Sequence, residues 1–327
     1  MAIYDNAFST YDAEGNREDL TDIIKNVDPT ATPFQTNAGS GKADGTLHEW
    51  QMDTYGDAVD TNAKVQADTI TAEASTPTVR VGNYTQILRR TFAVAATQEA
   101  VKKAGRASEI AHQKIKVGVL LKLDLEKSLL KNQAGVGGST AVAAKMAGLP
   151  AWLKTNTEFD GTSGVDPVWT AGVPTARVDS SDVRVFTEEL LKRAVLQVVG
   201  VSETQPTTLM VGPYNKQVVS DTFEGRVPAQ LNVSSPAPVA IIGAVDVYRT
   251  NYGLLSIIFN RFQRERDAFI LNFDLVSVRD LRPTFSKREP AAIDGELWQV
   301  CRESTLRVEN EAGLAGIYDL TDEAGES

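Results

Sequence analysis

Between Leu47 and Asn132 the chain makes a long polar excursion, extended at both ends, and then runs into one long amphipathic stretch. The excursion opens on Leu47-His48-Glu49-Trp50-Gln51-Met52 and returns through Val79-Arg80-Val81-Gly82-Asn83-Tyr84-Thr85-Gln86-Ile87-Leu88. About 25 residues rich in Ala, Thr, Asp and Gln lie between, and they offer too little to bury for a two-stranded ribbon to stand alone in water. Such a hairpin needs a partner surface, most simply another copy of the same chain. That points to assembly rather than catalysis.

The amphipathic stretch predicts a helix over 97–132, with Glu99 in its first turn as the helix dipole favours. At 100° per residue, Ala104, Ala107, Ala111, Ile115, Val119, Leu125 and Leu129 share one side, the expected buried one. Lys102, Arg106, Glu109, Gln113, Lys116, Lys127 and Lys131 share the other; Lys122 and Leu120 break the pattern. Ten turns make a rod of roughly 50 Å, stopped by Gly135, Gly137 and Gly138.

The remainder is legible in pieces. Residues 1–45 read as an arm lying on something else, with one short stripe at Leu20, Ile23, Ile24 and Val27 that Pro29 and Pro33 interrupt. Residues 133–182 are irregular around a buried island, Met146 to Leu153. Val185 to Val201 is a second amphipathic helix (Leu190, Leu191, Ala194, Val195, Val198). Thr208 to Val211 is a buried strand, Tyr214 to Phe223 a short helix, and 225–238 a loop. Strands are expected at 240–248, 254–259, 271–275 (Leu271, Phe273 and Leu275 facing inward) and 297–308, before a loose acidic tail at 321–327. This order suits an α+β protein.

The 327 residues are 42% hydrophobic and 23% charged, enough for one large core or two moderate ones. A net charge of -10 makes a general nucleic-acid binder a poor fit, because phosphate binding rests on Lys and Arg. The single cysteine, Cys301, excludes an internal disulfide and a thiolate cluster, and reads as a packing residue. No signal peptide is visible and no apolar run approaches a membrane span. The expectation is a soluble chain made in the cytoplasm.

Catalytic chemistry is hard to find. Gly39-Ser40-Gly41-Lys42 fails as a phosphate loop, since Thr36 stands in place of the first Gly and Ala43 in place of Ser or Thr. It reads as a flexible glycine linker. His48 and His112 are far apart in sequence, without metal-ligand spacing, and no nucleophile elbow is present. No catalytic, cofactor-binding or metal-binding residue is assigned. The cluster Arg261-Phe262-Gln263-Arg264-Glu265-Arg266-Asp267 mixes both signs and reads as a subunit contact or a solvated loop.

Several strings carry a resemblance: Asp28-Pro29-Thr30-Ala31-Thr32-Pro33-Phe34, Glu49-Trp50-Gln51-Met52-Asp53, Asn83-Tyr84-Thr85-Gln86-Ile87, Met146-Ala147-Gly148-Leu149 with Trp152-Leu153-Lys154-Thr155-Asn156, and Glu303 to Asn310. Gly105, Glu109, Asp124 and Glu126 add to it. In this order and spacing the chain resembles the major capsid (major head) protein of tailed bacteriophages, in the branch of the large myovirus heads.

The resemblance implies the tailed-phage major capsid fold. Its parts would be an N-arm (1–45), an extended loop (46–94), a peripheral domain (95–184) with the spine helix, an axial domain (185–270) with its tip near Glu224, Gly225 and Arg226, and return strands with the tail (271–327). It also implies inter-subunit contacts, for which Trp50, Asp57, Lys64, Arg89, Arg90, Glu224, Arg226, Arg264 and Arg266 are the candidates. Lys102, Arg106, Lys116, Lys127 and Lys131 are candidates for the lumen. The expected partners are further copies in hexamers and pentamers, with scaffold, portal and decoration proteins, and packaged dsDNA held weakly. Some members of the wider fold crosslink a loop Lys to an Asn; Lys64 and Asn62 lie in the loop here, but nothing in the sequence identifies a partner. Rival readings are a cellular nanocompartment or gene-transfer shell, an α/β enzyme, and a nucleic-acid-binding module.

Overall fold

The computed structural model describes residues 30–321 except 225–246 and the single positions 54, 55, 57, 71, 73, 74, 76, 104, 162, 203, 204 and 291. The apolar stripe at Leu20 to Val27, the whole 225–238 loop, the strand expected at 240–248 up to residue 246 and the acidic tail beyond Thr321 therefore lie outside the described residues.

In chain order the elements are α1 (Pro33–Asn37), β1 (Gly39–Lys42), β2 (Leu47–Met52), β3 (Val79–Tyr84), β4 (Gln86–Ala95), α2 (Ala96–Ala100) and α3 (Glu109–Leu130). Then come α4 (Leu149–Trp152), β5 (Thr157–Glu158), β6 (Trp169–Thr170), β7 (Val173–Pro174), α5 (Glu188–Val201), β8 (Thr208–Val211), α6 (Pro213–Glu224) and β9 (Val247–Arg249). The last are β10 (Leu254–Phe259), β11 (Ala268–Leu271), β12 (Val276–Glu289), β13 (Gly295–Val308) and β14 (Ala315–Ile317).

Two sheets organise the chain. One has the order β1-β12-β13-β4, with β1 parallel to β12 and the other pairs antiparallel. The other, mixed sheet runs β5-β14-β11-β8-β10-β9. It draws β5 and β14 from outside 185–270, so its strands do not follow the sequence boundaries expected for the axial segment. Helix α5 buries Leu190, Leu191, Ala194, Val195 and Val198 against this sheet, the face its periodicity predicts. The larger core gathers Leu125, Leu129 and Leu130 of α3, the island Met146 to Leu153, and Leu306 and Val308 of β13. Each fully buried Leu contributes about 1.5–3 kcal/mol.

Several expectations need correction. The long helix is two pieces. After α2 the chain turns through Gly105 at φ 75, a left-handed conformation that glycine adopts without Cβ strain, and Ser108 restarts it by accepting the Ala111 N–H at 3.2 Å. The Glu99 carboxylate crosses the gap to accept the Glu109 N–H at 2.9 Å. The buried side is also rotated: Val117, Leu121, Leu125 and Leu129 face inward, whereas Ile115 is 71% exposed. The sheet reaches α3 through Leu88, Phe92 and Val300, which meet Val117 and Leu121 and leave Ile115 in solvent.

Pro33 starts α1 rather than interrupting a helix, because proline suits a first helical position that needs no N–H partner. Gly39 to Lys42 is an edge strand, not a linker; Gly41 lies so close to the Arg279 side chain that a Cβ there would clash. The run 271–275 does not alternate as a strand. Strand β11 ends at Leu271, the Asn272 side chain accepts the Asp274 N–H at 3.0 Å, and Phe273–Leu275 form a single 3-10 turn.

Candidate assembly site

The excursion is tied down at its root. Trp50 was expected on a neighbour, but it is only 8% exposed and stacks on Trp152 at 5.1 Å between ring centroids. Trp152 in turn meets Trp169 edge-on at 5.4 Å, and the Lys154 ammonium lies 3.7 Å from the Trp169 ring. The inward direction follows from β2–β3 pairing, which sets Trp50 opposite the buried Val81. Asn83, fully buried, donates to the Leu306 carbonyl at 2.8 Å and accepts the Ala147 N–H at 2.7 Å. Thr85 donates to Glu303 at 2.9 Å, and Arg282 holds the same carboxylate at 2.6 Å. Beyond this root, every described residue from 56 to 70 is exposed, Ile70 to 97%.

His48 sits at the same root, 5.8 Å from Trp50. Burial lowers its pKa, and the positive charges of Arg307 and Arg279 lower it further, against the weaker pull of Asp44.

The arm is tied by a different device. Glu126, fully buried in α3, accepts the N–H groups of Phe34 (2.8 Å) and Gln35 (3.0 Å), the Gln35 amide (3.0 Å) and the Asn260 amide (2.6 Å). The first two are free N–H groups in the opening turn of α1, whose own N-cap, Thr32, supplies no side-chain bond. A carboxylate from 92 residues away thus does the work of the cap, its charge met by four neutral donors and the end of the helix dipole.

The arginine cluster turns inward. Arg264 forks onto Asp267 (2.8 Å twice) and onto Asp179 (2.7 and 3.0 Å). Arg266 donates to the Ser180 carbonyl at 2.6 Å and to Asp319 at 3.0 Å. Arg177 pairs with Asp166 and lies 3.8 Å from the Tyr318 ring. Burial resists the charge of Asp179, but the hydrogen bond and charge of Arg264, with the fields of Arg266 and Arg177, hold its carboxyl below the usual range. Burial pushes Asp267 up to about 6 against the pull of Arg264. Arg264 and Arg266 therefore brace their own subunit; their partners Asp179 and Asp319 are too distant in sequence for a local reading to find.

The other candidates lie as follows. Lys64 and Arg89 are exposed. Arg90 is exposed but engaged by Asp124 at 2.5 and 2.6 Å. Asp57 and Arg226 fall outside the described residues, and of Glu224 only its place at the end of α6 is described. Lys102, Lys116, Lys127 and Lys131 are exposed, whereas Arg106 pairs with Glu109 at 2.5 Å. They do not form one face of one rod, because Lys102 and Arg106 belong to the connection before α3. Burial is what marks Glu126 and Asn83, both 0% exposed, and no local sequence signal carries it. Among the described residues no group of three or more His, Cys, Asp or Glu could hold a metal, and no helix is long and apolar enough to cross a membrane.

A root fixed in the core, a loop whose described residues from 56 to 70 are all exposed and a separately seated arm leave that loop's surface open to a partner. Comparison with known proteins agrees. A major capsid protein of Escherichia phage Phieco32 is 34% identical over 127 residues, covering 39% of this chain and only 36% of that protein. Among solved structures, the capsid of a native GTA particle superposes with a TM-score of 0.62 over 96% of this chain and 98% of its own, at 11% identity. A structure from Gordonia phage Cozz gives 0.59 over 94% and 92%, at 9% identity. At such identities the likeness is one of fold, and the fold is that of tailed-phage major capsid proteins. The family model described as SU10 major capsid protein matches residues 5–321, almost the full length, and the chain belongs to that family.

Proposed function

We propose that this chain is the structural subunit of a phage head, closing in rings of five and six copies into an icosahedral shell around dsDNA. The observation that carries the reading is the excursion: its root is locked by Trp50 and Asn83, while its described residues beyond the root are exposed. The ordering cost of that loop is met by contact area on neighbours. Asp57, Lys64 and Arg89 would make such contacts, and Glu224 and Arg226 would lie near the ring axis. The segments 1–45, 46–94, 95–184, 185–270 and 271–327 serve as arm, extended loop, peripheral domain, axial domain, and return strands with tail.

The subunit works by geometry and carries no catalytic role. Assembly takes place in the host cytoplasm, the product is the virion head, and scaffold, portal and decoration proteins are the further partners. Lys102, Lys127 and Lys131 would touch packaged DNA or a scaffold weakly, so that these contacts fade with salt. The acidic balance of the chain keeps the wall from gripping the genome.

Electron microscopy of the purified chain tests the proposal. Shells, tubes or six-membered rings support it, and a compact monomer at high concentration overturns it. In particles from infected cells, genome-length DNA separates a phage head from a gene-transfer shell carrying fragments and from a cargo compartment carrying protein.

A further inference from the structure

We propose that the outward face of α3 around Ile115 is the seat of this chain's own segment Leu20 to Val27, held by apolar contact and by opposite charge. Three observations converge on it. The first is an uncovered face: Ile115 is 71% exposed in the middle of a helix, and a Cβ at Gly118 would meet nothing within 4 Å. Lys116 and Lys122 beside it make no ion pair among the described residues.

The second is the path of the chain. Gln35 donates to the Lys122 carbonyl at 2.8 Å and to Glu126 at 3.0 Å, so the seated part of the arm already lies on α3. Ile115, Lys122 and Glu126 fall within about 40° of one another around the helix, and Ile115 precedes Glu126 by about 16 Å along it. The seven residues from Val27 to Phe34 span up to about 23 Å when extended, enough to carry the stripe to Ile115.

The third is complementarity. Leu20, Ile23, Ile24 and Val27 recur at helical spacing and make one apolar stripe. Between 18 and 28 the same segment holds four acids, Glu18, Asp19, Asp22 and Asp28, against the single base Lys25. An acidic segment with an apolar stripe fits a basic helix face with an apolar centre. Docking would cover Ile115 and set acids beside Lys116 and Lys122, which form no ion pair among the described residues.

Trypsin can cut this segment after Lys25, so the seat can be read as protection. In the full-length protein, Ile115→Asp should speed cleavage after Lys25 about tenfold or more, because release of the segment exposes the bond. Lys116→Glu with Lys122→Glu should do the same at low salt, whereas Ile87→Asp, at an exposed site on β4, should not. A second measurement stands apart from cleavage: with Cys301→Ser in the background, Ile24→Cys paired with Ile115→Cys should form a disulfide within one chain under mild oxidation. Wild-type cleavage after Lys25 as fast as in a free peptide of residues 1–29, or double-cysteine protein that stays reduced or links only between chains, would overturn the proposal.

Discussion

The Glu126 carboxylate accepts the backbone N–H of Phe34 at 2.8 Å and so joins the arm to the middle of the subunit. Because the same carboxylate also takes Gln35 and Asn260, its loss strands several buried donors at once. We expect Glu126→Ala to cost about 3 kcal/mol or more, since each orphaned buried group costs about 1–3 kcal/mol. Glu126→Gln should recover only part, because its amide sets a donor against donors. Urea unfolding followed by circular dichroism measures both; equal stability of wild type and Glu126→Ala would mean that the arm contributes nothing to the subunit.

Trp50→Ala should destabilise the folded subunit by about 3–5 kcal/mol, as large aromatic truncations in a core do. Deleting about residues 56–76 should leave the melting temperature of the subunit nearly unchanged and abolish closed shells. Differential scanning fluorimetry with sedimentation velocity separates the two effects, and a deletion that unfolds the subunit would refute the division between root and loop.

Leu125→Asp should abolish folding, since it buries an unpaired charge in the core. Leu125→Ala should cost about 2–5 kcal/mol. Lys127→Ala, two residues on and on the open side, should be close to neutral. Soluble yield and thermal melts decide the matter, and a well-folded Leu125→Asp variant would show the inward face to be misassigned.

His48 makes the excursion root sensitive to acid. Its pKa is lowered in the folded chain by burial and by Arg307 and Arg279, so the unfolded chain binds the proton more readily. Stability from the neutral ring is full above an unfolded pKa of about 6.5 and is lost as pH falls through the lower folded value. His48→Gln should remove that part of the acid-side slope. Parallel pH titrations of the unfolding midpoint would show the difference, and identical slopes would clear His48 of the role.

Arg264→Met should cost about 3–5 kcal/mol, the usual result of leaving a buried carboxylate, here Asp267, without its partner. Asp179 and Asp267 both lose their forked contacts in this variant. A change under 1 kcal/mol in chemical denaturation would place the arginine at the surface instead.

What the sequence disclosed was local. Helix α5, strands β2, β8, β10 and β13 and the hairpin pairing follow from periodicity and turn chemistry within a few residues of each element. The misreadings share a cause at longer range. Ile115 looked inward because alanines and apolar residues share its side of the wheel, but which side is covered depends on β4, β13 and α1, chains that arrive from elsewhere. Trp50 looks available for a neighbour, and the fork of Arg264 is invisible, because their partners, Trp152 and Asp179, stand about a hundred positions away. The break before α3 was visible as Gly105 and Ser108 but was outweighed by the strong period on both sides.

Strand β4 lies between the excursion and α2 without a loop, and pairs with β13 continuously from Gln86↔Ser304 to Ala95↔Gly295. A pull on the loop tip, directed along the strand, therefore loads that whole ladder in shear, with its bonds sharing the force, rather than peeling them one at a time. Tension applied at the loop would thus pass into the middle of the subunit's own sheet, where ten paired positions resist it together.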